Sequence, residues 1–185
     1  MIHVPCLHHL LTRLCLFLSE IYEGSNVERE REHLLALFLD EPEWRHYERL
    51  KSSAGEEWGR CFKAIVEHYS QNWFRRDILI NIYLRERLFD DAVKEVLGSK
   101  SLLTLSEHHK ELSGLYPEDY FNAYIDLIYA FVGSGTGRPQ YRKAIYYLRR
   151  MREIKGFEGD FQDFLDLLRR DYSRRPAFID ELKSL

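Results

Sequence analysis

The stretch from Asp77 to Leu97, DILINIYLRERLFDDAVKEVL, constrains this chain more than any other. Ile78, Leu79, Ile82 and Tyr83, then Phe89, Ala92, Val93, Val96 and Leu97, recur at the three- and four-residue steps of one helical face. The face is interrupted at Glu86-Arg87-Leu88-Phe89-Asp90, where a tight turn would fold the second half back on the first. Tyr83 precedes Ala92 by nine residues, the separation of the tyrosine and the small alanine in a tetratricopeptide-type helix pair. A large ring on one helix needs a facing side chain without bulk. Such a pair buries only one face and needs neighbours to cover the rest. The expected fold is therefore all-α: an array of about nine to eleven antiparallel helices, a tetratricopeptide-like, right-handed α-solenoid.

The chain has room for such an array, with 185 residues and a 45% hydrophobic share beside 31% charged residues. β-branched runs are almost absent, so a sheet has little to be built from. Net charge of −3 gives no global reason to expect nucleic acid. Cys6, Cys15 and Cys61 are odd in number and sit in apolar helical contexts, which points to reduced thiols in the cytoplasm rather than a disulfide frame. The start, MIHVPCLHHLLTRLCLFL, is apolar but lacks a basic leader and a small-residue cleavage site, and His8, His9 and Arg13 interrupt it. No apolar run is long enough to span a bilayer, so no membrane association is expected.

Helices are expected over Pro5–Tyr22 and Val27–Asp40, the latter ending before Pro42. Pro42 is placed in the first turn of a third helix through Leu50, with a break over Ser52–Gly55. Glu56–Tyr69 follows, then the Asp77–Leu97 pair with Gly98 as its C-cap, and a single short helix over Leu102–Leu112. A long helix begins at Pro117 and turns Phe121, Tyr124, Ile125, Ile128 and Tyr129 inward. A flexible GSGTGRP loop leads to a helix over Tyr141–Ile154, and Phe161–Leu168 and Pro176–Leu182 close the array. One domain over residues 1–185 is expected, with irregular N-terminal helices to 55, a central repeat over 56–112, and a C-terminal repeat with capping helices over 117–185.

NIYLRERLFDDAVKEVL and LIYAFVGSGTGRPQYRKAIYYL share the order Ile-Tyr, then Ala followed by Val or Ile, which suggests a degenerate internal repeat. The run EEWGRCFKAIVEHYSQ followed by ILINIYLRERLFDDAV resembles the helical region of prokaryotic SWIM zinc-finger proteins. LFLDEPEWRHYERLKSSAG upstream, and YRKAIYYLRRMREI with DFQDFLDLLRRDYSRRPAFIDEL downstream, extend the likeness over roughly Leu34 to Leu182. The finger itself is missing, since no Cys-x-Cys occurs to pair with the single Cys-x-His, Cys6-Leu7-His8. The resemblance implies the helical portion of such a protein and carries over no catalytic or metal residue.

Few constellations carry chemistry. Cys6, His8, His9 and Cys15 lack a second paired cluster and cannot all converge from one helix, so no metal or other cofactor is expected. His108 and His109 are adjacent on a short polar helix and read as a solvated face. GSGTGRP lacks the Gly-Lys-Ser/Thr ending of a phosphate cradle and follows a helix rather than a strand. No nucleophile, base and orienter stand together, so an enzyme is not expected. The remaining feature is basic. From Arg138 onward twelve Lys/Arg face eight Asp/Glu, leaving fifteen against twenty-two for the rest. Arg142, Tyr146, Arg149, Arg150, Arg169, Arg170 and Arg174 are the candidate partner-binding residues, with Tyr141, Tyr147 and Tyr172 interleaved. Two readings stay open: a scaffold that binds a protein in a helical-repeat groove, and an accessory module that holds nucleic acid through the basic third.

Overall fold

The structure, a computed structural model, describes residues 27–185. The expected helix over Pro5–Tyr22 and the Cys6, His8, His9 and Cys15 cluster lie outside the described residues. Among those described there are eleven α-helices, two short 3-10 turns and no strand. The fold is an all-α array of packed helices, as the periodicity predicts. Two compact units divide between Leu79 and Ile80.

In the first unit, α1 (Val27–Asp40) packs on α2 (Trp44–Ala54), and α3 (Trp58–Ser70) lies against both. Phe38, Trp44, Tyr47, Trp58, Phe62 and Tyr69 form a chain of edge-on and tilted rings with centroids 5.1 to 5.9 Å apart. The helix ends explain the packing. The Phe38 carbonyl would accept from the N–H four residues on, but that residue is Pro42, which has none. Tyr69 supplies the missing donor, its hydroxyl reaching the Phe38 carbonyl at 2.6 Å, and Arg75 Nη1 reaches the Asp40 carbonyl at 3.1 Å.

Two boundaries here correct the sequence reading. Pro42 is not in a helix: α2 begins at Trp44, with Glu43 as its extended N-cap. That helix also runs past Leu50 to Ala54, because Ser52 and Ser53 fold their hydroxyls onto the carbonyls of Arg49 and Leu50. It stops at Gly55, whose φ of 51° opens the 3-10 turn Gly55–Glu57.

Helix α4 (Arg76–Arg85) leads from the first unit into the second, and α5 (Phe89–Gly98) follows it. The turn falls where the interrupted face places it: Leu88 N–H bonds Tyr83 O at 2.8 Å, and Arg87 takes the left-handed φ of 58°. After α5 the left-handed residue is Lys100, at φ 50°, rather than Gly98, which is still helical. The expected single helix over Leu102–Leu112 is two, α6 (Leu102–Glu107) and α7 (His109–Leu112), broken at His108.

Then come α8 (Pro117–Gly133), α9 (Arg138–Arg152), α10 (Glu158–Asp171) and α11 (Pro176–Leu182). Pro117 and Pro139 sit in the first turns of their helices, where a missing N–H costs nothing. The GSGTGRP loop is tied down rather than loose. Arg175 Nη1 donates to Val132 O and Gly135 O at 2.6 and 3.0 Å, and Gln140 Nε2 donates to Phe131 O at 2.6 Å.

These four helices repeat a packing rule. The short loop makes α9 antiparallel to α8. Phe121 at the start of α8 stacks on Phe157 at 4.6 Å, while Tyr129 near its end donates to Asp171 at 3.0 Å, so α10 runs in the same sense as α8. Likewise Arg138 pairs with Glu181 and Arg149 donates to the Ser184 carbonyl, so α11 runs in the sense of α9. Ala144, Leu148 and Met151 of α9 are wholly buried beside Tyr120, Tyr124 and Ile128 of α8. Of the suggested repeat, Ala92 and Ala144 are both fully buried, but Tyr129 is 39% exposed, not inward as expected; its neighbour Ile128 is wholly buried instead.

Candidate functional site

The seven basic-third candidates do not form one face. Arg142 and Arg149 turn toward α11, where Arg142 Nε meets Glu181 at 3.5 Å and Arg149 Nη2 meets the Ser184 carbonyl at 2.9 Å. Arg169 and Arg170 close on Asp166 and Asp171 at 2.6 and 3.0 Å. Arg174 is exposed in the loop after α10. Tyr146 and Arg150 point the other way, toward α6 and α7. Of the interleaved tyrosines, Tyr141 is buried against Phe178, so it takes no part in a surface.

Tyr146 and Arg150 belong to a connected polar cluster that sequence reasoning missed. Ser106 on α6 donates to the Tyr146 hydroxyl at 3.1 Å, and the Arg150 guanidinium lies 5.7 Å from the Tyr146 ring centroid. Arg150 Nη1 reaches Glu153 at 3.3 Å, and the same carboxylate oxygen stands 3.5 Å from His109 Nε2. On its other side His109 Nδ1 meets the Tyr124 hydroxyl at 3.4 Å. Tyr120 completes the ring of aromatics, its hydroxyl bonding the carbonyl of His108, where α6 breaks from α7.

The solvated-face reading of the two histidines is therefore corrected: His108 is 9% and His109 3% exposed. The break at His108 turns the second imidazole into the core. A signal was present in Tyr120 and Tyr124, two hydroxyl-bearing rings on the inward face of α8, which require buried polar partners. The Glu153 carboxylate and the Tyr124 hydroxyl thus flank the ring at its two nitrogens.

Electrostatics follow from this placement. Burial pushes the His109 pKa down, against the pull of Glu153, so the ring is neutral at pH 7. Burial pushes the Tyr120 and Tyr124 phenols far up, so both remain donors. Donation from Ser106 and then Arg150 lowers the pKa of Tyr146, whose phenol is nearly half exposed. In the first unit, His46 is 3% exposed and neither ring nitrogen has a hydrogen-bond partner among the described residues; burial, then Arg45, lower its pKa. Burial raises the pKa of the Cys61 thiol, the opposite of what a reactive cysteine needs.

Among the described residues, no group of three or more His, Cys, Asp and Glu is placed to hold a metal ion, and no helix is long and apolar enough to cross a membrane. The glycine loop turns carbonyls, not N–H groups, toward Arg175, so it cannot cradle a phosphate there. A groove of about 420 Å³ lies between α10 and the end of α11, floored by Phe157, Phe161, Leu165 and Leu182 and edged by Arg152 and Arg169. Comparison with known protein families, with characterised proteins and with solved structures finds no match to this chain.

Proposed function

We propose that this chain is a non-enzymatic protein-interaction module of the cytoplasm, in which stacked helix pairs present side chains to a protein partner. The observation that carries this reading is the same-sense stacking of α8 with α10 and of α9 with α11. Such stacking extends one surface from pair to pair, the geometry by which helical repeats bind extended or helical ligands. The reading rests on this packing and not on the sequence likeness to SWIM-type proteins.

The nucleic-acid alternative is the weaker one. Phosphate binding depends on cations that can exchange counterions for a backbone. Here Arg142, Arg150, Arg169 and Arg170 already face carboxylates of this chain, and Arg149 is turned onto a main-chain carbonyl. Affinity capture with the full chain, with and without nuclease and followed by mass spectrometry, tests the proposal. Partners that survive nuclease are expected; a set that disappears with nuclease would replace this reading with the nucleic-acid one.

A further inference from the structure

We infer that the face formed by α6 and α9 docks an acidic protein segment carrying an apolar anchor residue; the inference rests on the protein-binding reading and names the partner's chemistry. Two large apolar side chains are stranded in solvent here: Leu103 is 60% exposed and Tyr146 48%. They belong together, because Leu103 lies one turn before Ser106 on α6, and Ser106 is bonded to the Tyr146 hydroxyl. Tyr147 of α9 and Phe131 of α8, half-buried and edge-to-face at 6.0 Å, continue the apolar surface from one helix to the other.

The helix that carries Tyr146 is basic. Helix α9 carries six cations, Arg138, Arg142, Lys143, Arg149, Arg150 and Arg152, and no acid of its own. Three carboxylates answer them: Asp180 and Glu181 at Arg138 and Arg142, and Glu153 at Arg150. Lys143, one turn before Tyr146 and exposed, pairs with no carboxylate among the described residues. The single acid of α6 is Glu107. An incoming segment thus gains by placing carboxylates over Lys143 and a leucine or phenylalanine against Leu103 and Tyr146. Base stacking fits less well: the Tyr146 ring is already taken by Arg150 and, edge-on at 5.3 Å, by Tyr147, and Leu103 has no π face to offer.

The test uses the full chain and fluorescence anisotropy with three labelled probes. One is a synthetic peptide with Glu and Asp around Leu and Phe at helical spacing, the second has alanine at those apolar positions, and the third is oligothymidylate. The first peptide is expected to bind at least about tenfold tighter than the other two, and Lys143→Glu or Leu103→Ser to weaken it about tenfold while leaving the circular dichroism unchanged. No binding of the first peptide, binding indifferent to both substitutions, or preference for oligothymidylate would each overturn the inference. Nuclease-resistant partners retained by the Lys143→Glu, Leu103→Ser double variant would sink this face while leaving the protein-binding reading intact.

Discussion

Replacing Tyr69 with phenylalanine removes one oxygen and tests how the first unit closes. The Tyr69 side chain is 1% exposed, and its hydroxyl gives the Phe38 carbonyl the donor that Pro42 cannot. A neutral buried hydrogen bond is worth about 1 kcal/mol net, and a carbonyl left unpaired out of water costs about 1–3 kcal/mol. The geometry is short and no backbone N–H can take over, so Tyr69→Phe should cost about 2 kcal/mol. All three tryptophans, Trp44, Trp58 and Trp73, precede residue 80, so tryptophan fluorescence during urea unfolding reports on this unit alone. With a urea dependence of about 1–3 kcal/mol per molar, the midpoint should fall by about 1 M. Pro42→Ala supplies a main-chain N–H four residues after Phe38, so it should help the Tyr69→Phe variant more than the parent. A midpoint that does not move, or a Pro42→Ala effect equal in both backgrounds, would refute the capping argument.

Other outcomes follow from the same coordinates. His46→Leu removes two unpartnered buried nitrogens and should stabilise the first unit by about 1 kcal/mol in urea titrations. His46 and His109 both have folded pKa values below the unfolded value near 6.5, so the unfolded chain binds more protons; stability is complete above that pH and falls as the solution is acidified below it. Unfolding midpoints compared between pH 7.5 and pH 5.5 should show this loss, and His46→Leu should reduce it for the tryptophan signal. Arg87→Gly relieves a left-handed side-chain residue and should raise the thermal midpoint, with a gain of about 0.5–1 kcal/mol. Leu148→Ala, in the wholly buried layer between α8 and α9, should cost about 2–5 kcal/mol, read from loss of helical circular dichroism on heating.

Much of the architecture was legible because helix periodicity and proline placement are local signals. The end of α1 at Asp40, the turn around Arg87 and the start of α8 at Pro117 all follow from residues within a few positions. Errors arose where side-chain hydrogen bonds decide. Ser52 and Ser53 look like a break until their hydroxyls turn back onto the helix. Tyr129 has the right spacing for the core, yet Asp171, forty-two residues on, draws its hydroxyl outward. The candidate site was half legible. A helix of arginines and tyrosines is visible in sequence, but the direction in which each points is set by α6, α7 and α11. The buried His109 depends on a chain break that no local pattern announces.

The charge of α9 also has a consequence for the order in which the chain can mature. Its six cations leave the ribosome well before Asp180 and Glu181, which later sit beside Arg138 and Arg142. Until those acids are made, the start of this helix is a run of like charges that lacks its later partners. Completion of the helix at 176–182 then neutralises what was made some forty residues earlier.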